Sequence, residues 1–119
     1  MCIRDRIQKT NKEITGIGEI GLDRTYINSD EQWEKQVHVF KKQLELAEKL
    51  GKPISVHSRK TLEEIFEILN SYSIKRVLLH WFDGSKKQLQ QAMDLDCYVS
   101  FGPVTVSYTH LTLPTTPYV

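Results

Sequence analysis

The sequence predicts an α/β fold in which about four parallel strands alternate with helices, joined by right-handed crossovers. Between about Gln8 and Val104, short apolar runs alternate with stretches whose apolar residues recur at steps of three and four. Three of the apolar runs also lead into a side chain able to bind a metal: Glu19, His57 and His80. In a parallel barrel the strand ends converge on one mouth, so residues far apart in sequence can meet there. The 119 residues suffice for one ordinary domain, whereas a closed eight-stranded barrel typically needs about 250.

The elements follow in order. Glu13 to Gly21 contains a short apolar strand closed by glycine. A long helix is expected from Ser29 or Asp30 to Leu50, with a capping side chain at its start, Glu31 and Glu34 near its positive end, and Gly51 to stop it. Its residues Trp33, Val37, Phe40, Leu44 and Ala47 share one face, which would cover a sheet. Pro53 opens the strand Ile54–His57, where a missing amide hydrogen is tolerated. Thr61 to Leu69 predicts a second helix, Arg76 to His80 a strand, Ser85 to about Leu95 a third helix, and Tyr98 to Phe101 a fourth strand ended by Gly102-Pro103.

Composition excludes several classes. A formal charge of +1 supplies no global field to draw in nucleic acid or membrane, so an anionic substrate must be recognised locally. No apolar run approaches the roughly 18 residues of a membrane span, and the first residues lack the apolar stretch of a secretory signal. The expected compartment is the cytoplasm, with no membrane contact and no protein partner predicted. Cys2 and Cys97 have neither Cys-x-x-Cys spacing nor the density of a disulfide framework, and both are read as unpaired.

The two ends differ from the middle. Met1-Cys2-Ile3-Arg4-Asp5 can be written ATG TGT ATA AGA GAC, whose reverse complement encodes Val106-Ser107-Tyr108-Thr109-His110. Residues 1–6 and 106–119 are therefore expected to be adapter-derived and non-native, resembling a transposon mosaic end read through at both edges of a fragment. The alternative is a genuine polar tail containing Pro114 and Pro117. On either reading the ends are kept out of the fold, which leaves 7–105 as the domain and removes His110 as a ligand candidate.

Neutral imidazole and carboxylate together suit a borderline divalent ion such as zinc or manganese, and paired ions can clamp a phosphodiester and activate water. One Glu and two His do not close a two-metal site. Taken singly, Glu19 also fits a solvated carboxylate, and His57 or His80 a hydrogen-bonded core histidine.

Gly-Glu-Ile-Gly-Leu-Asp at 18–23, the helix with Gln36, Phe40, Gln43-Leu44 and Leu46-Ala47, Lys52-Pro53 through His57-Ser58-Arg59, and His80-Trp81-Phe82-Asp83-Gly84-Ser85 resemble the TatD family of metal-dependent deoxyribonucleases. Tyr98 to Pro103 resembles that family's sixth strand and following loop. The resemblance implies a partial TIM barrel of the amidohydrolase type, holding strands three to six. It also implies a parent that hydrolyses DNA with two divalent ions (magnesium, manganese or zinc) and a metal-activated water. Glu19 would then be the catalytic carboxylate touching both ions, with His57 and His80 as ligands of one of them. The family's first-strand His-x-His and its later Glu-Thr-Asp are absent from this sequence, so the fragment itself is expected to be inactive. Arg24 stands where the family often has an aromatic residue. A related amidohydrolase acting on amide or ester bonds, and a non-catalytic flavodoxin-like module, are the alternatives.

Further residues carry two readings each. Arg59 is a candidate phosphate donor or a helix-entry ion pair. Asp23 is read as a turn cap, with orientation of a ligand as its other role. Trp81 and Phe82 can stack on bases or pack beneath the mouth. Lys41-Lys42, Lys86-Lys87 and His38 are read as solvated. An open half-barrel is also expected to expose apolar interior side chains and to self-associate.

Overall fold

In the computed structural model, residues 15–102 are described; the terminal segments 1–6 and 106–119 lie outside them. The elements run β1 (Ile17–Asp23), α1 (Asp30–Leu50), β2 (Ile54–Arg59), α2 (Leu62–Leu69), β3 (Val77–His80), α3 (Lys86–Asp94) and β4 (Tyr98–Val99). The strands form one sheet in the order β1-β2-β3-β4, and every pairing is parallel. That sequential order excludes the reversed order of a flavodoxin-like module. With right-handed crossovers it places all three helices on one side.

Local chemistry sets the helix limits. The Ser29 hydroxyl accepts from Gln32 N at 3.3 Å to start α1, and Gly51 ends the helix with φ 66° in the left-handed region. Ser85 and Gln88 form a reciprocal capping box at α3. Thr61 precedes α2 but does not cap it; its hydroxyl instead donates to Leu22 O at 3.0 Å and ties the helix start to β1.

The core lies between helices and sheet. Phe40, Leu44, Leu46 and Ala47 of α1, Ile65 and Phe66 of α2, and Leu89 and Ala92 of α3 pack over Ile20, Leu22, Val56, Leu79 and Val99. The opposite face carries the alternate residues: Gly21 and Asp23 on β1, Ser55, His57 and Arg59 on β2, Leu78 and His80 on β3, and Tyr98 on β4. The expected broad apolar interior is therefore reduced: among these residues Leu78 and Tyr98 are the large apolar ones, and the rest are small or polar.

Two boundaries differ from expectation. Gly21 does not close β1; with φ 150° the chain continues extended to Asp23. Glu19 consequently sits within the strand, beside a register irregularity between Ile17 and Ile20, and His57 precedes the last two residues of β2. Of the three predicted ligands, His80 alone ends its strand. The fourth strand, Tyr98–Val99, is shorter than expected; just beyond it Ser100 N donates to Leu79 O at 3.1 Å and Ser100 O accepts from Phe82 N at 2.7 Å, so the chain stays bonded to β3 and the loop after it.

Candidate metal centre

Parallel pairing sets His57 directly beside His80. Glu19 reaches both from β1: its Oε2 lies 3.0 Å from His80 Nδ1 and 3.9 Å from His57 Nδ1. The three predicted ligands thus converge on one carboxylate oxygen. They line a cavity of about 530 Å³ at the mouth, together with Ser58, Arg59, Trp81, Asp83 and Gly102.

The second nitrogen of His57 is engaged as well. Nε2 lies 2.9 Å from Asp23 Oδ2, while Asp23 Oδ1 accepts from Thr25 N at 2.7 Å. Asp23 therefore plays both roles weighed from sequence, capping a turn and holding a candidate ligand. Partial burial alone would raise the pKa of this carboxyl; hydrogen bonds from Thr25 and His57, aided by attraction to His57, outweigh it and hold the value at about 2. His80 is held differently, with its ring stacked on the Trp81 indole.

The other candidates separate by location. Arg59 lines the cavity, and among the described residues no ion pair engages it. Arg24 points elsewhere: its guanidinium sits 3.9 Å from the Trp33 ring centre and 3.5 Å from Glu64, bracing the β1–α1 loop against both α1 and α2. Trp81 is exposed at the mouth, whereas Phe82 is core, edge-on to Phe101. Lys41, Lys42, Lys86, Lys87 and His38 are exposed, as expected. Asp83 was quoted only as part of a motif; its place in the lining follows from the turn after β3.

The profile of the TatD related DNase family matches residues 3–113. The chain belongs to this family. A metal-dependent hydrolase of Haemophilus influenzae, itself uncharacterized, is 33% identical over 111 residues, covering 91% of this chain and 42% of that protein. The putative deoxyribonuclease TATDN3 of Mus musculus is 35% identical over 102 residues, covering 84% of this chain and 35% of its own length. The crystal structure of YJJV, a TatD homolog from Escherichia coli K12, superposes with a TM-score of 0.76 at 26% identity, covering 92% of this chain and 43% of that one. This TatD chain therefore spans less than half the length of these relatives, and its four parallel strands with alternating helices match part of their fold.

Family membership implies a divalent metal, and the donors fit in kind: one carboxylate and two imidazoles facing one point. In number they fall short. Among the described residues no group of three or more His, Cys, Asp and Glu side chains is arranged to hold an ion unaided. Among the same residues no helix is long and apolar enough to cross a membrane.

Proposed function

We propose that this chain is the segment 7–105 of a longer TatD-type hydrolase that cleaves phosphodiester bonds in DNA, flanked by adapter-derived ends 1–6 and 106–119. The observation that carries the reading is the convergence of His57 and His80 on Glu19 Oε2 in an open cavity. In this reading Glu19 would hold both ions, and His57 and His80 would hold one of them. A bound divalent ion supplies Lewis acidity at the phosphoryl oxygen and a water acidic enough to be deprotonated near neutral pH.

The chain's own residues supply the remainder. Glu19 is exposed on the cavity wall, where a cation can reach its carboxylate. Arg59 offers a planar donor pair to a phosphate oxygen at the rim. Trp81 presents an aromatic surface on which a base of any sequence can stack. The isolated fragment is expected to be inactive, because the two-metal mechanism needs further ligands.

The deciding experiment recovers the complete reading frame and assays cleavage of linear DNA with magnesium, manganese or zinc. Metal-dependent cleavage by the parent, lost in Glu19→Ala, is the expected result. Intact DNA under every condition, or cleavage indifferent to that substitution, would overturn the reading. Cleavage by the fragment alone would overturn the argument that its ligand set is incomplete.

A further inference from the structure

We infer that Asp23 is a positioning residue: its carboxylate holds His57 in the tautomer that leaves Nδ1 unprotonated and turned toward Glu19. The inference rests on the proposed metal-ligand role of His57. Its geometric basis is independent of that role.

The carboxylate of Asp23 is held on several sides. Its backbone N–H donates to Gln36 Oε1 at 2.9 Å, and its carbonyl accepts from Gln36 Nε2 at 2.9 Å, so the α1 side chain fixes the residue's main chain. Oδ1 is occupied by Thr25 N at 2.7 Å. Oδ2 remains, and it meets His57 Nε2 at 2.9 Å. Gly21 permits the approach: a Cβ built there would lie 1.9 Å from His57 O, so only glycine lets β1 run this close to His57.

An ionised carboxylate only accepts hydrogen bonds. The proton in the Asp23–His57 bond therefore belongs to Nε2, and in the neutral ring Nδ1 keeps its lone pair. The 3.9 Å from Nδ1 to Glu19 Oε2 exceeds hydrogen-bond range, so no hydrogen bond on that side competes with the one that Nε2 donates to Asp23. A carboxylate behind a ligating imidazole fixes its tautomer and ring orientation, and loss of such a partner typically weakens metal affinity by about 10–100-fold. His80 meets Glu19 Oε2 itself through Nδ1 at 3.0 Å and stacks on Trp81, so the two imidazoles are positioned by different devices.

Asp23→Asn makes a directional test. The Asn oxygen must face Thr25 N–H, which leaves its NH₂ against His57 Nε2. Two donors cannot share that contact, so the ring proton moves to Nδ1. Long-range ¹H–¹⁵N spectra of the whole metal-free chain, recorded where the ring is neutral and assigned with His57→Gln, read the tautomer directly. Wild type is expected to be Nε2–H and Asp23→Asn predominantly Nδ1–H, with zinc or manganese bound about 10–100-fold more weakly by calorimetry. An Nδ1–H tautomer in wild type overturns the inference without need of a folded variant. An unchanged Nε2–H tautomer in Asp23→Asn, or equal metal affinity despite inversion, overturns it too. If wild type binds neither ion, its incomplete ligand set accounts for that, and the tautomer measurement alone decides the role of Asp23.

Discussion

The Trp81 indole lies nearly flat on the His80 imidazole, ring centroids 5.3 Å apart and planes 17° from parallel. Behind it the chain turns with φ 53° at Trp81, whose N–H donates to Ser100 Oγ at 3.1 Å. Gly102 backs the ring so closely that an added Cβ would lie 2.8 Å from it. The stack belongs to the wall of the cavity, and the neighbouring aromatic residue does not share it.

Neighbours 81 and 82 are therefore expected to respond oppositely to truncation. Phe82 is 1% exposed and Trp81 57%. Phe82→Ala should cost about 3–5 kcal/mol, and Trp81→Ala about 1 kcal/mol or less, by urea denaturation. Equal losses would show that Trp81 is part of the core.

The helices and the sequential sheet were legible because apolar periodicity and caps act locally: the Trp33–Ala47 stripe, Ser29, Ser85 and Gly51 all sit where expected. Strand limits were less so. Gly21 resembles a stop in sequence, yet the strand runs on through it, with the His57 carbonyl where a Cβ would lie. That Glu19, His57 and His80 meet at one mouth followed from residue type and order. The Asp23–His57 bond joins positions 34 apart and has no periodic signature, so only the fold discloses it.

Two glycines with positive φ should separate crowding from backbone preference. Gly51, at φ 66°, has open space around it, so Gly51→Ala should cost about 1–2 kcal/mol. Gly21→Ala meets the His57 carbonyl and should cost clearly more, with displaced His57 resonances. Similar losses at both sites in thermal melts would refute the close approach.

Gln36 serves the main chain of Asp23 as a neighbouring strand would. Gln36→Leu leaves both groups without that partner and should destabilise by about 1–3 kcal/mol. Hydrogen exchange at the Asp23 amide should accelerate well beyond the global change. An unaltered exchange rate there would remove Gln36 from this role.

Burial, reinforced by repulsion from Asp96, pushes the Cys97 thiol from 9 up to about 11. Because the folded value is the higher one, its contribution to stability is fully present below pH 9 and is lost as pH rises through about 11. At pH 9 iodoacetamide should label Cys97 far more slowly in the native chain than in urea, as read by peptide mass. Equal rates would contradict the shift.

The two-faced sheet makes each strand two interleaved texts. In β2, Ile54, Val56 and Ser58 face the helices, while Ser55, His57 and Arg59 face the open side. Evolution can thus rewrite one set with little reference to the other. The same packed layer could carry a new set of outward residues, and hence a different chemistry, without relearning how to fold.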